Sequence, residues 1–201
     1  MSKERIGIFG GSFDPIHIGH LIIASDAAEQ MALDRVLFIP AAQAPLKPNA
    51  PEATANDRAE MTRLAIEADP RFEVRRFEID RGGTSFSIDT AEEITREFPE
   101  AELFWIIGGD QARQLDQWNR IDELAKLVEF ICLERDASFV RPDDLPESVV
   151  IHPRAMRRLD ISSTEARERL KSGQVSKYFL PEPVFRYIKT RNLYQDNRNA
   201  S

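Results

Sequence analysis

The sequence has little of what several common functions require. It holds one cysteine, Cys132, in 201 residues. No disulfide can form within the chain, which fits a reducing compartment. Cys132 stands inside the apolar run VEFICLE; a buried, inert thiol is the expectation and a nucleophile the alternative. There are three histidines, and no compact Cys/His set offers the ligands of a zinc site. No apolar run is long enough to cross a membrane, and MSKER leads into the first apolar stretch without a signal-peptide core. Positive charge is also in deficit, with a net charge of −7. DNA and acidic membrane surfaces, both polyanions, are therefore not expected as partners. Together these absences predict a cytoplasmic protein with neither nucleic acid nor membrane as partner. Two glycine signatures are missing too. No G-x-x-x-x-G-K-[ST] phosphate loop and no G-x-G-x-x-G dinucleotide fingerprint occurs.

What is present is a globular composition, 42% apolar and 30% charged, of a length suited to one domain spanning 1–201. Its C-terminal helical part is expected at about 161–194, with a polar tail at 195–201. Apolar, β-branched runs recur at 6–9, 36–39, 103–107, 128–133 and 149–151. They lack strict alternation, as expected of parallel strands buried on both faces. FEVRRFEID, at 72–80, alternates and reads as an edge strand. Helical faces lie between the runs: Ile18, Leu21, Ile22 and Ala28; Met61, Leu64, Ala65 and Ala68; Ile88, Ala91, Ile94 and Phe98. Alternating strands and helices predict an α/β fold, a Rossmann-like open parallel sheet with helices on both faces. Two long loops interrupt the pattern, PAAQAPLKPNAPEA and RDASFVRPDDLPES. Loops of that length in a compact domain usually work at a site.

The stretch IGIFGGSFDPIHIGH at 6–20 concentrates the chemistry. Gly10 and Gly11 follow the first strand, where ligands of open parallel sheets bind. Asp14-Pro15 reads as an N-cap and first helical position. His17 and His20 then fall in the first turns of one helix, on one side. Free amides and the helix dipole favour an anion there, and two imidazoles add donors. A phosphate cradle is the reading; metal chelation and purely structural histidines are its rivals. A second stretch, ISSTEAR at 161–167, contains an S-x-x-E capping box. Arg167 lies four residues after Ser163, so its guanidinium reaches back toward the first turn of that helix. Arg154, Arg157 and Arg158 precede it and make this region locally basic. A planar, permanently charged fork suits phosphate oxygens.

GGSFDPIHIGH, with its His-x-Gly-His, and ISSTEAR about 140 residues later resemble the two signatures of the nucleotidyltransferase superfamily. Within it the chain is similar, over residues 6–194, to the bacterial nicotinate-nucleotide adenylyltransferases. Four further stretches carry that likeness: IPAAQAPLK, TSFSIDT, IIGGDQARQLDQW and PEPVFRYIKTRNLY. IPAAQAPLK departs from the family's P-x-x-x-P-P-H-K, with Leu46 for the histidine and Ala44 for a proline, and TSFSIDT carries Phe86 for a tyrosine.

The resemblance implies an enzyme that transfers AMP from ATP to nicotinate mononucleotide and releases pyrophosphate, without a covalent intermediate. It implies that His17 and His20 hold α- and β-phosphate oxygens, with backbone donors at Gly10, Gly11, Ser12 and Phe13. It places Ser163, Thr164 and Arg167 on the departing phosphates. One Mg²⁺, bound by the phosphates and water rather than by a protein cage, would accompany ATP. For the nicotinate nucleotide it points to Lys47, Thr84, Ser85, Phe86, Asp110 and Trp118. Unpaired amides at 84–86, ahead of a helix, would favour a carboxylate over an amide. Trp118 is read as a stacking face for the pyridine or as a half-buried packing residue. Asp110 is a ribose partner or a turn former, Lys47 a ligand or a solvated loop lysine, and His152 structural. A sister enzyme acting on phosphopantetheine, glycerol 3-phosphate or nicotinamide mononucleotide is the near alternative. A non-catalytic nucleotide-binding protein of the same fold is the distant one. Whether the protein is a monomer or a homo-oligomer is left open.

Overall fold

The computed structural model describes residues 3–45, 50–134, 139–157, 159–174 and 178–195. Six strands form one all-parallel sheet: β1 (Arg5–Gly11), β2 (Arg35–Pro40), β3 (Phe72–Val74), β4 (Glu102–Gly108), β5 (Glu129–Glu134) and β6 (Ile151–Ala155). Their order in space is β3-β2-β1-β4-β5-β6. The main helices are α1 (Ile18–Gln30), α2 (Ala55–Ile66), α4 (Ser87–Glu97), α7 (Ser163–Lys171) and α8 (Glu182–Arg191). Short ones are α3 (Phe77–Arg81), α5 (Gly109–Ala112) and α6 (Ile121–Leu124).

The expected α/β sheet with helices on both faces is what forms. Period-two alternation was hidden in the strands because both faces are covered. Phe9, Phe38, Phe104, Ile106, Ile131 and Leu133 point to one side, into a core with α1, α2, α7 and α8. Ile6, Ile8, Leu37, Ile39, Trp105, Ile107, Phe130 and Cys132 point to the other, toward α4, α5 and α6. Successive strands run outward from β1 in one direction and, after β4, in the opposite one. The carboxyl ends of β1 and β4 therefore flank the point where the winding reverses, and a crevice opens there.

Several local expectations differ from the structure. The edge strand at 72–80 is only Phe72–Val74, because the chain turns into α3 and buries the Glu78 carboxylate against the Thr90 hydroxyl at 2.8 Å. The last strand is shifted downstream from 149–151 to Ile151–Ala155; Val149 is buried but precedes it. Pro153 is tolerated within it because β6 is an edge strand with one unpaired side. On α1 the buried face is Gly19, Ala24, Ala27 and Ala28 rather than Ile18, Leu21 and Ile22. Small side chains let the helix lie close to the sheet, and the larger ones pack at its margins. Ala68 lies beyond the end of α2 and is exposed. Among the described residues no helix is long and apolar enough to cross a membrane.

Candidate active site

The crevice holds a cavity of about 1000 Å³, lined by Gly10–Phe13, His17, His20, Gly108–Asp110, Ser162–Thr164 and Arg167. A second cavity, of about 460 Å³, is lined by Ala41, Ser85, Phe86, Trp105 and Trp118. Gly10, Gly11, Ser12 and Gln111 line both. The two volumes thus meet at the turn after β1.

That turn is tightly specified. Phe13 adopts φ 47°, a left-handed conformation that costs a non-glycine residue roughly 1 kcal/mol or more. Its ring is held there by edge-on contacts with Phe9 and His20. A Cβ at Gly11 would lie 2.9 Å from the Phe13 ring, so any larger residue there would push that ring aside. The expected Asp14 cap does not form. Asp14 is buried, and its carboxylate instead accepts from the amides of Glu52 and Ala53 at 2.8 and 3.1 Å and from the Tyr194 hydroxyl at 2.6 Å. The helix α1 begins at Ile18, with His17 as its N-cap.

The two histidines form a unit. The His17 amide donates to Nδ1 of His20 at 3.1 Å, and the rings stack 3.7 Å apart. A backbone N–H can only donate, so Nδ1 of His20 is an acceptor. In the neutral ring the proton therefore sits on Nε2, which becomes a donor. Burial lowers the His17 pKa from 6.5 to about 4, so its ring is neutral at pH 7. Its Nδ1 is buried without a hydrogen-bond partner among the described residues. The amides of α1 contribute less than the sequence led one to expect. The Ile18 N–H is occupied by the Phe179 carbonyl at 2.9 Å, and that of His20 by the His17 carbonyl.

The second signature docks directly on the first. Ser162 caps α7 by accepting from the Glu165 amide at 3.1 Å, as its S-x-x-E pattern predicts. The Ser163 hydroxyl donates to the Pro15 carbonyl at 3.0 Å, and Arg167 Nη1 to the Asp14 carbonyl at 2.6 Å. Arg167 also reaches back to the Thr164 hydroxyl at 3.4 Å. Residues some 150 positions apart in sequence thereby face one cavity, together with the N-termini of α1 and α7. Glu52, which sequence reasoning missed, lies across Arg167 at 3.0 Å and Lys171 at 2.7 Å. Burial works against its ionised form, but hydrogen bonds and charge from Lys171 and Arg167 prevail and hold its carboxyl below the usual range. Arg154 is half-buried, while Arg157 is exposed and stands 3.6 Å from Asp26; Arg158 lies outside the described residues.

The pieces expected at the acceptor side are only partly united. Ser85, Phe86 and Trp118 line the smaller cavity. Trp118 is half-buried and meets Trp105 and Phe130 edge-on, so it packs and faces the cavity at once. The Ser85 amide is not free, because it donates to the Gln43 carbonyl at 2.9 Å. Asp110 opens into the larger cavity instead, where Arg113 holds it at 2.8 Å. Thr84 is exposed and bridges to Gln43. Lys47 and Leu46 lie outside the described residues. Cys132 is fully buried and its thiol is pushed up to about 11, which removes it as a nucleophile. His152 pairs with Glu129 at 2.6 Å at the β6 edge of the sheet and lines neither cavity.

Comparison with known proteins decides the lineage. The cytidylyltransferase-like family matches residues 8–169, which include both signatures. The chain belongs to that family. Within the family its similar relatives include the probable nicotinate-nucleotide adenylyltransferases of Opitutus terrae and Thermus thermophilus. The first is 48% identical over 96% of this chain and 100% of the relative. The second is 44% identical over 95% and 100%. Among solved structures, the nicotinic acid mononucleotide adenylyltransferase of Plasmodium falciparum, complexed with NaAD, superposes with a TM-score of 0.76. It covers 95% of this chain and 97% of its own at 20% identity, a likeness of fold.

Proposed function

We propose that this family member is a nicotinate-nucleotide adenylyltransferase, transferring AMP from ATP to nicotinate mononucleotide in NAD biosynthesis. The observation that carries the reading is the meeting of two cavities at Gly10–Ser12, one rich in phosphate donors and one walled by aromatic rings. The naming of relatives 44–48% identical over nearly the whole chain supports it.

In this reading ATP occupies the larger cavity with its triphosphate between α1 and α7. A phosphate oxygen of the acceptor, entering from the smaller cavity, attacks the α-phosphorus in line. The new O–P bond forms as the bond to the β-phosphate oxygen breaks, and pyrophosphate leaves. The chain supplies positioning and fixed donors rather than a nucleophile. His20 donates from Nε2 to the phosphoryl oxygens, and His17 stands stacked beside it. Gly10, Gly11, Ser12 and Phe13 shape the close approach of the backbone. Arg167, with Ser163 and Thr164, holds the departing β- and γ-phosphates once they displace Glu52. Ser85, Phe86 and Trp118 receive the pyridine end, and Asp110 faces the nucleotide side. Among the described residues no group of three or more histidines, cysteines or carboxylates is placed to hold a metal. A magnesium ion arriving with ATP would be held by phosphate oxygens and water, and would supply charge neutralisation to the departing phosphates.

The test is direct. Pure protein is incubated with ATP, Mg²⁺ and each candidate acceptor, and pyrophosphate and the dinucleotide are measured. Product is expected with nicotinate mononucleotide. Product only with phosphopantetheine or nicotinamide mononucleotide, or no turnover at all, would overturn the reading.

A further inference from the structure

Arg58, on α2, is one of the largest fully buried side chains of the protein, 1% exposed, and touches neither cavity. Its Nη1 donates to the Ser12 carbonyl at 2.7 Å and its Nη2 to the Ala42 carbonyl at 3.3 Å. Its Nε is buried with no partner among the described residues. The charged groups that act on it are the carboxylates of Asp14 and Glu78. A buried guanidinium held mainly by two neutral carbonyls is an expensive way to fill a core; an apolar side chain of similar volume would often serve stability as well.

Its two partners explain the choice. Ser12 belongs to the turn that lines both cavities. Ala42 belongs to the segment after β2, whose neighbours Ala41, Ala44 and Pro45 wall the smaller cavity. That segment is stitched on to the acceptor side. The Ala42 amide donates to the Ser85 hydroxyl and the Ser85 amide to the Gln43 carbonyl, both at 2.9 Å. On the other side the Ala41 amide donates to the Gly11 carbonyl, also at 2.9 Å. One planar fork thus ties the phosphate turn to the wall of the acceptor cavity, directly behind their junction.

We propose that Arg58 is a positioning residue that fixes the distance between the nucleotide and acceptor subsites, acting through the Ser12 and Ala42 carbonyls. This rests on the adenylyl-transfer reading of the site. In-line attack needs the two phosphates within reacting distance, and a displacement near 1 Å costs on the order of 100-fold in rate. Each subsite by itself keeps its own lining when the fork is lost, so the penalty falls on the chemical step rather than on either substrate's binding.

The test compares the parent with Arg58→Lys and Arg58→Met. Lysine keeps the charge but has a single ammonium in place of the fork. Folded fraction is measured by thermal unfolding. Calorimetry gives the Kd of a non-hydrolysable ATP analogue and, separately, of nicotinate mononucleotide. Initial rates give kcat per folded molecule. Both variants are expected to keep each Kd within about threefold while kcat falls roughly 30- to 100-fold. Parent-like kcat per folded molecule in Arg58→Lys would overturn the proposal, as would a fall confined to one substrate's affinity. Should Arg58→Met not fold, Arg58→Lys decides; should Arg58→Lys not fold either, Arg58 belongs to the core alone and the proposal fails. Absence of product from the parent in the same assay would instead sink the functional reading, which keeps the two apart.

Discussion

His20 carries two separable tasks, and substitution can divide them. Its Nδ1 accepts from the His17 amide at 3.1 Å and so closes the N-terminus of α1. Its Nε2–H, fixed by that bond, is the donor assigned to the transferring phosphoryl group. Asparagine has an oxygen where histidine has Nδ1, but nothing at the place of Nε2. His20→Asn should therefore keep the cap and lose the donor. Removing one preorganised donor of this kind costs about 2.7–4 kcal/mol, or roughly 100- to 1000-fold in kcat. Losing the cap costs about 1 kcal/mol of stability. His20→Asn is thus expected to unfold within about 0.5 kcal/mol of the parent in urea while its pyrophosphate release falls by two to three orders of magnitude. His20→Ala should lose both, adding about 1 kcal/mol of destabilisation to the same rate loss. Continuous pyrophosphate detection at saturating substrates, beside urea midpoints, reads the two effects independently. Parent-like turnover in His20→Asn would refute the catalytic assignment, and equal stability of His20→Asn and His20→Ala would refute the cap.

Other predictions follow from the same geometry. Because burial lowers the His17 pKa from 6.5 to about 4, its neutral form stabilises the fold fully above pH 6.5, and this is lost as pH falls through about 4. The difference amounts to about 3 kcal/mol, so urea midpoints of the parent should fall with acid across that window more than those of His17→Asn; identical slopes would contradict the burial. Arg167→Lys keeps one charge but cannot hold the Asp14 carbonyl, Thr164 and a phosphate at once. It should lose about 1.5–3 kcal/mol, a roughly 10- to 150-fold drop in kcat/KM for ATP, and unchanged kinetics would remove Arg167 from the site. Trp118→Leu keeps apolar volume and removes the aromatic face. KM for nicotinate mononucleotide should rise roughly 2- to 12-fold with kcat little altered, whereas a change in the ATP KM alone would place the ring in the wrong cavity.

Much of the site was legible because its parts are local. The run Ile8–Phe9–Gly10–Gly11 announces a buried strand ending in a close-approach turn, and Ser162 with Glu165 announces a helix start; each depends on neighbours within four positions. The expectations that failed depended on distant partners. Asp14-Pro15 has the chemistry of a helix start, but the amides of Glu52 and Ala53 and the Tyr194 hydroxyl claim the carboxylate, so the cap falls to His17. The free amides expected at Ser85 are closed by the segment after β2. FEVRRFEID keeps a strand's alternation but becomes α3 where Glu78 finds Thr90.

By itself the sequence determined the parallel α/β sheet and the two signature motifs, since hydrophobic period, glycine placement and capping chemistry are written along the chain. Only the tertiary structure decided that both signatures share one cavity, that Glu52 pairs with Arg167, and that Arg58 ties the turn after β1 to the segment after β2. Those contacts bridge 16 to 153 residues. Their energies depend on desolvation and on distances that no local pattern encodes.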